Sequence, residues 1–178
     1  MRRPRAGYLS VRDVGLLGLR LGIGGGLFAH GAQKLLGWFG GGGPGETGKA
    51  FDEMGFVPGN RTALMAGISE AGSGILLALG AATGPAAAAA VGTMTVAGSV
   101  HAPQGFFNAE GGFELPATLG VAAASLALTG PGRISVDYLT DEAVNRPWMT
   151  LAAFGGALAS AVSLIGQRRS RLARSSGT

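Results

Sequence analysis

The chain has 178 residues, 47% of them hydrophobic and 13% charged, with a mean hydropathy of +0.33; that charge is about half the share of an ordinary soluble domain and points to a membrane protein. It contains no cysteine, which excludes disulfides, thiol redox chemistry and cysteine-ligated metal or iron–sulfur centres in this chain. The net charge of +4 does not indicate nucleic acid, because the basic residues gather at the two ends, as Arg2, Arg3, Arg5 and Arg12 and as Arg168, Arg169, Arg171 and Arg174. Beside apolar runs such clusters read as membrane-surface anchors.

Residues 1–13 form a basic tail, read as retained because the apolar run that follows is long, holds Arg20 and lacks a small-residue cleavage site. A first membrane helix is expected over 14–38. Its Gly18, Gly22 and Gly26 recur every four residues, a small-residue stripe suited to close helix packing and compatible with homo-oligomerisation. Trp38 and Phe39 suit an interfacial aromatic belt.

Residues 40–60 are glycine-rich and polar. Gly43-Pro44-Gly45-Glu46-Thr47-Gly48-Lys49-Ala50 matches the GxxxxGK core of a phosphate-binding loop, but Ala50 stands where a hydroxyl would bind Mg²⁺ and a helix precedes it where a strand is needed. An exposed connection is expected there, with 51–56 a short amphipathic helix, and neither nucleotide nor metal is expected as a cofactor. Further helices are expected over 61–82, over 86–101 after a Thr83-Gly84-Pro85 turn, and over 114–128. A polar connector follows at 133–146, then a fifth helix over 147–167 opened by Pro147 with Trp148 as an anchor, and a disordered basic tail at 168–178. The fold class is thus all-α, a polytopic membrane bundle whose core occupies 14–132. The charges favour an inside N-terminus and an outside C-terminus, with incomplete spanning by the alanine-rich third helix or the last helix as the alternative.

Depth arithmetic groups the polar side chains. At 1.5 Å per residue, His30 and Glu70 lie about 12–13 Å below the same membrane face, Lys34 sits one turn above His30 with Gln33 beside it, and the lysine stem can reach down to Glu70. His101 and Glu114 reach that face from the third and fourth helices. Arg20 lies about 27 Å away and is expected to anchor in lipid headgroups. His30, Lys34 and Glu70 allow two readings: a structural ion-pair network, or a pocket in which His30 and Glu70 act as catalytic proton-handling groups and Gln33, Lys34, His101 and Glu114 hold a quinone. No metal site is expected, for lack of ligand spacing on one helix.

The segments LRLGIGGGLFAHGAQKLLGWFGG, FDEMGFVPG, AGISEAGSGILLALG, GTMTVAGSVHAPQGFFNAEGGFE and TGPGRISVD together resemble the DoxX family of bacterial membrane proteins over about 14–137. The resemblance implies a four-helix membrane core, making the fifth helix an extension. It also implies a link to quinone-coupled oxidoreductase systems and to membrane-associated oxidative-stress complexes, hence a multi-pass protein of the bacterial plasma membrane, a bound quinone and a redox-enzyme partner besides lipids. Matched by position, the polar residues are His30, Lys34, Glu70, His101 and Glu114. The alternative function is a non-catalytic scaffold that recruits a soluble redox enzyme through the loops at 40–60 and 102–113.

Overall fold

The computed structural model describes residues 8–175, and the expected tail arginines Arg2, Arg3 and Arg5 lie outside them. Helix α1 spans Val11–Leu36, α2 Gly43–Glu53, α3 Gly59–Leu79, α4 Thr83–His101, α5 Glu114–Thr129, α6 Val136–Leu139 and α7 Pro147–Ser175. Among the described residues there is no strand. Three of these helices, α1, α3 and α7, are long and apolar enough to cross a membrane. The alanine-rich α4 is less apolar but sits centrally, packed on α3, α5 and α7, so little of it needs to face lipid. Its Ala86, Ala87 and Ala90 are buried in one core with Leu27, Leu77, Ala123 and Leu126.

Each terminus has a local cause. Ser10 and Asp13 form a reciprocal cap at the start of α1, with Ser10 N donating to Asp13 Oδ2 at 2.9 Å and Asp13 N to Ser10 Oγ at 3.3 Å. Gly37 ends that helix in the left-handed region at φ 69°. The phosphate-loop-like segment is not a loop: it is the first part of α2, with Pro44 in the opening turn and Gly48 packed on Asn60.

The closest packing is between α1 and α3. The inward stripe of α1 runs Arg20, Gly24, Leu27, Gly31, Lys34, at alternating spacings of four and three, and that of α3 runs Ala63, Gly67, Glu70, Gly74, Leu77. A Cβ on Gly24 would lie 2.8 Å from Ala78 N, and one on Gly74 2.6 Å from Phe28 N. Gly31 in turn faces Gly67 and Ala71. This corrects the expected stripe. Gly18 and Gly22 have open space where a side chain would go, and Gly26 meets only Leu119.

The polar connector at 133–146 closes the end of the bundle where α1 begins. Asp137, fully buried, accepts from Ala82 N at 2.7 Å, Thr83 N at 2.8 Å and Thr83 Oγ1 at 2.7 Å. It thereby caps α4, whose own N-cap, Ala82 at φ 47°, offers no side chain for the purpose. Asn145 Oδ1 accepts from Gly84 N at 2.7 Å, and Asp13 Oδ1 from Arg133 N at 2.9 Å.

The last helix also differs from expectation. Residues 168–175, read as disordered tail, continue α7 without a break. Arg168 Nε donates to Met54 O at 2.8 Å, and Arg171 donates to Val57 O. The tail is helical because its arginines bond the carbonyls of the turn between α2 and α3.

Candidate functional site

The polar residues of α1 and α3 meet as the depth arithmetic requires. Lys34 Nζ lies 2.6 Å from Glu70 Oε2 and also donates to the His30 carbonyl at 3.2 Å. The lysine stem lies back along its own helix, bringing the ammonium down one turn to the level of Glu70. Glu70 is only 3% exposed, whereas Lys34 keeps some access. A buried carboxylate is costly unless paired, and the Gly31 contact with Gly67 and Ala71 is what lets the two helices approach closely enough.

Lys34 and Glu70 line one end of a cavity of about 440 Å³ among α2, α3, α4 and α7, within the range of ~300–1,000 Å³ usual for small-molecule sites. Most of its wall is apolar. Phe51, Met54 and Phe56 roof it, Ala89, Gly92, Val96, Ala97 and Val100 of α4 form its back, and Ala157, Ala161 and Leu164 come from α7. Measured along α3 from Glu70 to Thr62, it is about 12 Å long. Ser69 and Thr93, whose hydroxyls are 2.7 Å apart, add a polar patch beside Glu70. Neither was an expected site residue; their signal is adjacency to Glu70 in SEAG and a second threonine turn in GTMT.

Three of the six expected site residues reach this cavity: Lys34, Glu70 and, at its rim, His101. His101 is exposed and its Nδ1 lies 2.8 Å from Gly111 O. The other three do not. His30 is half-buried and contributes its carbonyl, its side chain lying off the cavity wall. Gln33 donates to Phe39 O at 3.2 Å, shaping the turn after α1. Glu114 Oε2 accepts from Asn108 N at 2.9 Å and ties down the loop before α5. A shared depth places residues in one layer, but their angular position on each helix decides which of them meet.

Arg20 is not a headgroup anchor. It is 1% exposed, donates through Nη2 to Ile134 O, and packs against Gly80 with Asp137 balancing its charge. Its Nε and Nη1 have no hydrogen-bond partner among the described residues. The connector folded over the bundle end takes the place the headgroups were expected to hold. Among the described residues, no group of three or more His, Asp or Glu is arranged to hold a metal ion.

Fold and site together define a helical membrane protein with a polar-ended apolar cavity in its flank. The DoxX family model matches residues 15–103, half of the chain, and the chain belongs to the DoxX family. The matched part contains Lys34, Glu70 and His101 and stops before α5 and α7. No curated protein and no solved structure matches the chain.

Proposed function

We propose that this protein is a quinone-interacting subunit of a membrane oxidoreductase or oxidative-stress system, crossing the bacterial plasma membrane with α1, α3, α4, α5 and α7. The observation that carries the reading is the Lys34–Glu70 pair at the end of a mostly apolar 440 Å³ cavity. A quinone ring suits apolar walls, and its carbonyl needs a donor. Lys34 supplies that donor and Glu70 accepts a proton from, or returns one to, the ring oxygen. Reduction of a quinone to a quinol takes two electrons and two protons. With no cysteine in the chain, the electrons come from a redox-enzyme partner, and the protons pass by Glu70 from the rim at His101.

Protein purified from membranes in mild detergent is expected to carry quinone that solvent extraction and mass spectrometry identify. Lys34→Ala or Glu70→Gln should lower that content roughly tenfold, equivalent to about 1.4 kcal/mol of binding. Quinone absent from the wild type, or equal in all three proteins, would overturn the reading.

One observation favours a second reading. Phe106 and Phe107 are exposed in the loop between α4 and α5, their rings packed edge to face, and such a corner could dock a soluble redox enzyme on a non-catalytic scaffold. Crosslinking in native membranes separates the two: a scaffold loses its partner when 102–113 is replaced and is indifferent to Lys34→Ala.

A further inference from the structure

The fourth wall of the cavity comes from outside the family-matched residues. α7 lies alongside α4 and touches it backbone to backbone, since a Cβ on Gly92 would sit 3.1 Å from both Cβ and O of Ala157. From that contact towards the roof, α7 presents the small residues Ala157, Ser160 and Ala161. Ala161 is 2% exposed and is the buried residue of α7 among those described. Further along, Arg168 and Arg171 bond the carbonyls of Met54 and Val57, and the Arg168 guanidinium lies 5.6 Å from the centre of the Phe56 ring.

The helix is therefore fastened at both ends of the cavity, to α4 below and to the turn between α2 and α3 above. Between the fastenings it follows α4 and leaves α3 apart. Met65 on α3 and Ser160 on α7 are exposed on the two lips of that gap. A gap in the flank of a membrane bundle opens on hydrocarbon. Lipid tails are as apolar as these walls, so a chain gains little there by leaving lipid and is selected by fit.

We propose that α7 turns the cavity into a slot for a bilayer-dissolved ligand bearing a linear apolar chain, which leaves between α3 and α7, and that Ala161 determines which chains fit. The proposal rests on the quinone reading for the polar end at Lys34 and Glu70 and extends it to the chain and its route. Ala161 is the specificity-determining residue because it is the small, buried side chain on the wall the chain must pass. The extension beyond the family-matched core thus selects the tail, while the core binds the head.

The test uses full-length protein in nanodiscs and two probes with one quinone ring, one without a tail and one with an isoprenoid tail. Binding of each is measured relative to protein-free discs for the wild type, Ala161→Phe, Ser160→Phe, Ala159→Phe and Lys34→Ala. Ser160 is exposed, so its variant reads the slot even where Ala161→Phe fails to fold. Ala159 is exposed on α7 and off the cavity wall. The ratio of tailed to tail-less affinity should fall about tenfold in Ala161→Phe and Ser160→Phe and hold in Ala159→Phe. A ratio unchanged in both cavity variants overturns the slot. Lys34→Ala should weaken both probes together. Weakening there with an unchanged ratio in the slot variants sinks the slot alone, whereas a fallen ratio with no effect of Lys34→Ala sinks the quinone-head reading alone. Failure of the wild type to bind either probe sinks both.

Discussion

Buried charges stand at both ends of the bundle, Arg20 at one and Glu70 at the other, and each can be tested by removing it or its partner. Arg20→Ala removes the bond to Ile134 O and frees the connector there; a loss of about 1.5–3 kcal/mol is expected, as for a hydrogen bond from a charged group. Thermal unfolding in detergent measures it, and a variant as stable as the wild type would return Arg20 to a peripheral role. At the other end, Lys34→Ala should cost about 3–5 kcal/mol by orphaning the buried Glu70 carboxylate. The paired change Lys34→Met with Glu70→Leu separates structure from chemistry: stability should recover, because a well-packed apolar pair replaces a buried ion pair at little cost, while bound quinone should not return. Recovery of both would reduce the pair to a structural tie.

At the level of the helices, glycine placement predicts which substitutions the bundle tolerates. Gly24→Val or Gly74→Val drives a side chain into the facing backbone, and overpacking of this kind costs about 1–3 kcal/mol even where it is accommodated. Gly18→Ala enters open space and should be neutral or stabilising by up to about 1 kcal/mol through helix propensity. Melting temperatures that rank the two sites the other way would contradict the packing. The inward stripe holds Arg20 and Lys34 together with Gly24 and Gly31, but reading Arg20 as a headgroup anchor separated it from Lys34 and hid that face. Repeat spacing alone selects the equally regular Gly18, Gly22, Gly26 stripe, because a glycine-rich helix carries more than one such face. The ion pair was readable, depth depending only on rise per residue. His30, Gln33 and Glu114 were misplaced because their azimuth depends on neighbours that no local pattern encodes. The walls given by α7 and α2 were hidden because alanines and a phenylalanine carry no chemical signal until tertiary packing brings them round a common space.

For the whole molecule, the proposed five crossings would put the first and last helices' free ends on opposite sides. The loops holding Lys49 and Asn108 should share a side, with Glu142 on the other. The cysteine-free chain makes this direct to measure: single Lys49→Cys, Asn108→Cys and Glu142→Cys variants in intact cells and in inverted vesicles should react with an impermeant maleimide in two groups. Lys49→Cys and Asn108→Cys labelled from opposite sides would mean that α3 or α4 does not cross.

In that five-crossing arrangement the helices are unequal in height. α1 with 26 residues is about 39 Å long, and α5 with 16 residues about 24 Å, against a hydrocarbon slab of about 30 Å. The bilayer therefore meets a tall wall on one side of the protein and a low one on the other. Just before the first turn of α5 stand Phe106 and Phe107, with Phe113 packed against Phe106, and their rings extend the oily height of the low side where the helix stops. If α5 crosses as proposed, the phenylalanine corner would act as a spacer, in place of a docking site for a soluble enzyme, and spare the membrane from pinching beside α5, where each ångström of mismatch costs a fraction of a kcal/mol. Replacing Phe106 and Phe107 with serine should shift the protein's preference towards bilayers of shorter acyl chain, an effect read by comparing its thermal stability in vesicles of graded thickness.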